Sequence, residues 1–190
     1  AESKFGINTW DLEEVLNRLS GMQNLELIGI HFHVGSQITR LSVFKTLCNH
    51  INELQEWFSA RNSELKIINV GGGLGIDYEN PSEPPKFGEY FSLIRKFVDL
   101  RPGQEIHAEP GRSIVGQCGT LISKVLYIKT GSNTKFAVID AGMTDLIRPA
   151  LYQAHHQIEN LTSSGEKVNY DVVGPICESS DTFARFIELP

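Results

Sequence analysis

The sequence predicts an α/β domain followed by a second domain built mainly of β-strands. Through roughly the first 110 residues, amphipathic helical segments alternate with short apolar strand segments. Such alternation implies right-handed parallel connections, and therefore either a doubly wound sheet or a piece of a (β/α)8 barrel. From about Ser113 onward the long helices stop and short β-rich segments follow, which predicts antiparallel strands. We therefore expect the first domain to comprise residues 1–113 and the second to comprise residues 114–190.

Each element of the first domain has its own signal. Asp11 with Glu14 resembles a capping box, and apolar residues spaced three and four apart follow it, which predicts a helix. The same spacing predicts two further helices, at 44–58 and 90–98, and apolar runs predict strands at 27–33, 66–70 and 104–108. In the second domain, β-rich segments lie at 114–115, 119–129, 136–140 and 167–173.

Composition narrows the class of protein. The 190 residues are 41% hydrophobic, which is enough for a real core, and the net charge of −6 comes without a basic stripe. We therefore expect no nucleic-acid partner. No apolar run is long enough to span a bilayer and no signal peptide is evident, so we expect a cytoplasmic protein without membrane contact. The three cysteines, Cys48, Cys118 and Cys177, lack C-x-x-C spacing, which argues against a disulfide framework and structural zinc.

Four glycines within residues 71–75 follow directly after the predicted strand at 66–70. Glycine lets the backbone approach an oxyanion closely and turn several N–H groups toward it. A dinucleotide-binding G-x-G-x-x-G starting at Gly71 would need glycine where Ile76 stands, and no Lys-Ser/Thr follows to make a Walker loop. The loop therefore predicts a phosphorylated ligand that is not a nucleotide. A tight turn without any ligand accounts for the same glycines.

Polar clusters follow all three predicted strands of the first domain. In a (β/α)8 barrel, reactive side chains project from the C-terminal ends of the strands. His31 and His33 share one face of their strand, which suits metal ligation, and the flat ring of His33 also suits stacking on an aromatic ligand. Glu109, beside Pro110 and Gly111, is a candidate fixed carboxylate, and Arg112 can pair with it or bind a phosphate. The clusters occupy residues 31–36, 71–75 and 107–112.

Five motifs in order resemble those of the diaminopimelate decarboxylases: residues 31–37, 71–75, 108–112, 145–152 and 174–181. These enzymes are pyridoxal 5'-phosphate (PLP)-dependent decarboxylases with an alanine-racemase-like barrel and a C-terminal β domain. The resemblance implies the C-terminal portion of a PLP-binding (β/α)8 barrel followed by part of an antiparallel β-barrel domain. It implies conversion of meso-2,6-diaminopimelate to L-lysine. The glutamate after Cys177 is typical of this branch, whereas the ornithine and arginine branches usually have aspartate there.

The resemblance also implies which residues bind the cofactor. His33 would stack on the pyridine ring and contribute to catalysis, and Glu109 would face the pyridine nitrogen and keep it protonated. Hydroxyl, backbone N–H and guanidinium donors would bind the phosphate. The implied cofactor-binding residues are His33, Ser36, Gly71, Gly72, Gly73, Glu109, Gly111 and Arg112.

The resemblance also implies four substrate-binding residues, Arg112, Arg148, Tyr152 and Glu178. Arg148 and Tyr152 would bind the distal end of the substrate, and Glu178 would accept its distal ammonium. Cys177 would be the acid that reprotonates the α-carbon. Cys177 and Glu178 lie in the second domain, which the family reconciles by a head-to-tail homodimer whose subunits share active sites. No metal is implied.

One feature of the family is missing. The lysine that binds PLP covalently stands upstream of the His-x-His motif in the family, in a Tyr-x-x-Lys-type context, and no lysine of this chain has that context. We therefore expect an internal portion of a longer enzyme, inactive by itself.

Other functions remain open. The enzyme can act on another basic amino acid, of the ornithine, arginine or carboxynorspermidine type. A metal-dependent hydrolase would use His31, His33 and His107 as ligands, completed by Asp140 or Asp145. A non-catalytic PLP-binding or oligomerisation module would keep the glycine loop without the paired substrate groups.

Overall fold

The structure is a computed structural model that describes residues 4–190. The chain separates into two units: the first contains the described residues up to Leu74 together with Lys86–Gly111, and the second contains Gly75–Pro85 and Arg112–Pro190. Within residues 4–190, no helix has the length and apolar character that crossing a bilayer requires.

Three parallel strands form the sheet of the first unit. They are β1 (Gly29–His31), β2 (Ile67–Asn69) and β3 (Glu105–His107), and β2 lies between the other two. A short 3-10 helix (Thr9–Asp11) and α1 (Leu12–Leu19) precede β1, α2 (Ser42–Ser59) connects β1 to β2, and α3 (Phe87–Phe97) connects β2 to β3. This confirms the α/β pattern with parallel connections.

The core of the first unit lies between α2, α3 and the central strand. Phe44 of α2 and Tyr90 of α3 are fully buried, with their rings edge to face and 4.8 Å between centres. Ile68 in β2 is also fully buried. Cys48 on α2 is also fully buried in this core, and the burial raises the pKa of its thiol to about 11. The periodic apolar residues of the sequence thus mark the packed helix faces.

Four strands form one sheet in the second unit. They are β4 (Val125–Thr130), β5 (Lys135–Ile139), β6 (Val168–Val173) and β7 (Thr182–Leu189), arranged in sequence order. The outer pairs are antiparallel, but β5 and β6 are parallel. The expected purely antiparallel sheet is therefore wrong at its centre. The segment between β5 and β6 contains α5 (Arg148–Tyr152), and a long connection of this kind permits parallel pairing.

Other local predictions also fail. Residues 114–115 were expected to be β-rich but lie in α4 (Arg112–Val115), because two β-branched residues carry only a weak preference. The expected capping box is absent, since no side-chain cap forms at Asp11, which accepts a hydrogen bond from Asn8 Nδ2 at 2.9 Å instead. The strand expected at 27–33 is shorter in the structure, where β1 runs from Gly29 to His31.

Candidate functional site

The C-terminal ends of the three parallel strands are level with one another. His31, Asn69 and His107 end β1, β2 and β3 and are paired in register. Backbone pairing continues one step further, with Phe32 N donating to Asn69 O at 3.1 Å and Val70 N donating to His107 O at 2.9 Å. The polar clusters after the strands therefore leave the sheet along one edge, as the strand pattern predicts.

Glu109 carries a carboxylate held at this edge by two neighbouring strands. Asn69 Nδ2 donates to Glu109 Oε1 at 2.9 Å, and His31 Nε2 lies 3.3 Å from Glu109 Oε2. The Glu109 backbone N–H donates to Gly71 O at 2.7 Å. The side chain is still 55% exposed, so this oriented carboxylate can also accept a hydrogen bond from an N–H of a ligand.

Asn69 was not among the residues predicted for the site. The available signal was a polar residue at the end of an otherwise apolar strand. Asn69 also accepts a hydrogen bond at Oδ1 from Gly71 N at 2.9 Å, so its amide connects the glycine loop to Glu109.

The glycine loop is packed between the loops that follow β1 and β3. A Cβ at Gly71 would overlap the carbonyl of Phe32, and one at Gly72 would overlap the carbonyl of Glu109. Gly71 and Gly73 have φ of +70° and +103°, which favours glycine. Gly73 O accepts a hydrogen bond from Ile38 N at 2.8 Å. These glycines are therefore required by backbone packing, whether or not the loop binds a phosphate.

His33 and Ser36 lie in the loop after β1 and are both exposed. Gly111, also exposed, has a φ of +54° at the end of the first unit. An accessible imidazole, a hydroxyl and the oriented Glu109 carboxylate have the chemistry to bind a phosphorylated aromatic ring with a basic nitrogen. The residues present therefore fit the PLP implied by the motifs.

The side chains that a metal-dependent hydrolase would use as ligands are not grouped around a common point in the described part of the chain. His107 Nε2 lies 3.2 Å from Glu105 Oε2 within β3, and His31 contacts Glu109. Asp140 accepts hydrogen bonds from Ser123 Oγ at 2.6 Å and Lys124 N at 2.8 Å, which lower the pKa of its carboxyl. Asp145 accepts one from Gly142 N at 2.8 Å. Over residues 4–190, no three His, Cys, Asp or Glu side chains are grouped to hold a metal ion.

In the second unit, Arg148 begins α5 and contacts Tyr78. Its Nη1 donates to the Tyr78 hydroxyl at 2.8 Å, and its guanidinium carbon lies 5.0 Å from the centre of the Tyr78 ring. The His156 ring meets the Tyr78 ring edge to face at 5.3 Å. Burial lowers the pKa of His156, and the Arg148 charge lowers it further. Neither Tyr78 nor His156 was predicted to belong to the site, because no motif contains them.

Cys177 and Glu178 lie in the loop between β6 and β7, and both are exposed. Hydrogen bonds from Ser180 N at 3.3 Å and Ser179 Oγ at 3.2 Å lower the pKa of the Glu178 carboxyl. Glu178 is therefore an anion at neutral pH, as a partner for an ammonium group must be. Tyr152, at the end of α5, is 68% exposed, and Arg112, the first residue of α4, is partly buried.

Comparison with known proteins identifies the family. Residues 1–116 match the model of the pyridoxal-dependent decarboxylases, pyridoxal binding domain, and the chain belongs to this family. This confirms the predicted family and PLP as the cofactor of the class.

Individual relatives carry a more specific name. The diaminopimelate decarboxylase of Bacteroides thetaiotaomicron is 55% identical over 191 residues, which cover 100% of this chain and 50% of that protein. The crystal structure of diaminopimelate decarboxylase from Helicobacter pylori, complexed with L-lysine, superposes with a TM-score of 0.89 at 38% identity. The whole of this chain aligns with 47% of the Helicobacter pylori chain. The M. jannaschii enzyme in co-complex with L-lysine gives a TM-score of 0.89 at 33% identity, with 99% of this chain covering 45% of that one.

The chain therefore spans about half the length of the relatives it matches. These structures also confirm the predicted fold class, in which a portion of a PLP-binding barrel is followed by part of a β domain.

Proposed function

We propose that this chain is part of a diaminopimelate decarboxylase, which converts meso-2,6-diaminopimelate to L-lysine and CO2 with PLP as cofactor. The observation that carries the proposal is the Glu109 carboxylate, held by Asn69 and His31 at the C-terminal edge of a parallel sheet. The 55% identity of the whole chain to the Bacteroides thetaiotaomicron diaminopimelate decarboxylase supports this substrate over ornithine or arginine.

The cofactor would be bound mainly by residues of the loops after the strands. His33 stacks on its ring, and the Ser36 hydroxyl and the Arg112 guanidinium donate to its phosphate. Gly72, Gly73 and Gly111 give the backbone a close approach to the phosphate. Gly71 contributes by shaping the loop, because its own N–H donates to Asn69.

Bound PLP supplies an electron sink for the electron pair left on the substrate's α-carbon when CO2 leaves. Glu109 stabilises the proton on the ring nitrogen, because a carboxylate beside a basic nitrogen favours its protonated form. Asn69 and His31 keep that carboxylate in a fixed orientation.

The substrate would be bound at both ends. Arg148 and Tyr152 bind its distal carboxylate, Arg112 adds a second cation, and Glu178 accepts its distal ammonium. Cys177 gives the proton from its Sγ–H to the α-carbon after CO2 has left. We also propose that the lysine that holds PLP covalently belongs to the part of the enzyme outside this chain.

The full-length enzyme would be a cytoplasmic homodimer. The Cys177–Glu178 loop of one subunit would complete the active site of the other. The odd number of cysteines, without C-x-x-C spacing, supports a reducing compartment.

The direct test is CO2 release by the full-length enzyme from meso-2,6-diaminopimelate, L-ornithine, L-arginine and carboxynorspermidine, each with added PLP. We expect turnover of diaminopimelate to exceed that of the others by at least about 100-fold in kcat/KM, because a site that pairs with a substrate's polar groups rejects analogues that lack them. The 190-residue chain alone, assayed in parallel, should release no CO2. Preference for another of these amino acids would refute the proposed substrate.

A further inference from the structure

Asp181 ends the Cys-Glu-Ser-Ser-Asp motif but has no part in the proposed chemistry. Its side chain is 3% exposed, in contrast to the exposed Cys177 and Glu178 of the same motif. Val173 and Thr182 pair across β6 and β7, so residues 174–181 form the loop of a hairpin. Asp181 closes that loop, because Gly174 N donates to Asp181 O and Asp181 N donates to Glu178 O, both at 3.0 Å.

The carboxylate of Asp181 connects this loop to a second segment. Oδ2 accepts a hydrogen bond from Ile176 N at 2.8 Å, and Oδ1 accepts one from Met143 N at 2.6 Å. Ile176 directly precedes Cys177. Gly142, next to Met143, accepts hydrogen bonds at its carbonyl from Asp145 N at 2.9 Å and Leu146 N at 3.2 Å, in the turn that leads into α5. One buried carboxylate thus fixes the backbone beside the proposed acid and the approach to Arg148.

Two glycines leave the space that this arrangement needs. A Cβ at Gly174 would lie 2.6 Å from Asp181 Cγ, and a Cβ at Gly142 would lie 2.7 Å from Ile176 Cδ1. Neither position can accept a side chain without displacing the Asp181 carboxylate or Ile176.

We propose that Asp181 is a positioning residue that sets where the Cys177 thiol and the Glu178 carboxylate stand. The inference rests on the proposed function for its effect on turnover. Both carboxylate oxygens of Asp181 accept a backbone N–H, whereas the amide of an asparagine would turn its NH₂ toward one of those donors. One connection is then lost and the loop is displaced. A displacement of about 1 Å at a reacting group can cost about 100-fold in rate.

The test compares Asp181→Asn with Asp171→Asn in the full-length holoenzyme. Asp171 in β6 is a matched control, since it is 8% exposed and accepts hydrogen bonds from Phe186 N at 2.8 Å and Arg185 Nη1 at 3.3 Å. Neither of these hydrogen bonds of Asp171 involves Ile176 or Met143. Three quantities are measured: kcat, PLP absorbance per subunit, and the iodoacetamide alkylation rates of Cys177 and Cys118, followed by peptide mass spectrometry.

For Asp181→Asn we expect kcat to fall about 10- to 100-fold with PLP content unchanged. We expect the Cys177 alkylation rate to change about threefold or more relative to that of Cys118, because the loop has lost a fixed point. Asp171→Asn should leave kcat and both alkylation rates as in the wild type. Wild-type behaviour of Asp181→Asn, or equal effects of the two substitutions, would overturn the inference.

Failure of the proposed function gives a different result. If Cys177→Ala keeps wild-type kcat, the role of Cys177 is wrong, while the alkylation rates still decide whether Asp181 positions the loop. If Asp181→Asn does not fold, Gly174→Ala replaces it, because its Cβ would displace the Asp181 carboxylate without changing charge. The same changes in kcat and in Cys177 alkylation support the inference, and unchanged values overturn it.

Discussion

The guanidinium of Arg148 donates from Nη1 to the hydroxyl of Tyr78 at 2.8 Å and lies over the same ring. The Tyr78 side chain therefore holds the guanidinium by two contacts, one with its hydroxyl and one with the face of its ring. Among the described residues, Arg148 Nε is buried without a hydrogen-bond partner. A carboxylate that reached this nitrogen would satisfy a donor that is otherwise unpaired.

Removing the Tyr78 hydroxyl should weaken substrate binding. In the full-length enzyme, we expect Tyr78→Phe to raise KM for diaminopimelate roughly tenfold, the effect of losing one hydrogen bond to a charged group. kcat should change less than about twofold, because the hydroxyl contacts Arg148 and not the reacting carbon. Steady-state kinetics measure both. Tyr127→Phe, at an exposed position in β4, is the control, and an equal rise in KM for the control would contradict the prediction.

Glu109→Gln should lower kcat by at least about 100-fold, because an amide cannot stabilise a protonated ring nitrogen as a carboxylate does. PLP should remain bound, with an altered absorbance spectrum. Glu105→Gln is the matched control: it lies four residues earlier, in β3, and also contacts a histidine, His107. Comparable losses of kcat in the two variants would show that Glu109 has no special role.

His156 should make the second unit sensitive to acid. Burial, followed by the charges of Arg148 and His155, lowers the pKa of His156 below the ordinary histidine value of 6.5. As pH falls below that value, unfolded chains bind a proton that the folded state resists, so stability declines until the lower folded pKa is reached. Replacing His156 with glutamine should reduce the drop in Tm of the full-length enzyme between pH 7.5 and pH 5.5, about one unit on either side of the ordinary histidine pKa. A drop as large as that of the wild type would count against this explanation.

A shared active site should allow two inactive variants to complement each other. Cys177→Ala and His33→Ala enzymes, co-expressed, should form hybrid dimers with one intact site. Random assortment in a two-fold dimer gives up to about a quarter of wild-type activity. The assay is CO2 release from the mixed preparation, with each variant alone as control. If hybrid dimers form and remain inactive, Cys177 acts within its own subunit.

Periodicity predicted the helices and strands of the first unit because their apolar spacing reflects burial against one sheet. It also predicted that His31 and Glu109 would lie at the same strand edge. It did not predict that Asn69 and His31 both contact the Glu109 carboxylate, or that Tyr78 contacts Arg148 from 70 residues away. Contacts between residues so distant in sequence depend on strand register and loop packing, which local patterns do not encode. The parallel β5–β6 pair was mispredicted for the same reason.

The crowding around Gly71 and Gly72 affects how variation in this family should be interpreted. Any side chain at these positions would collide with the carbonyl of Phe32 or Glu109. Substitution of either glycine would therefore disrupt the packing of these loops, even in a descendant that has lost its cofactor. Retention of these glycines in a homologue reports that the loops keep their shape. Ser36 and Arg112 are the positions whose loss would signal that the phosphate is no longer bound.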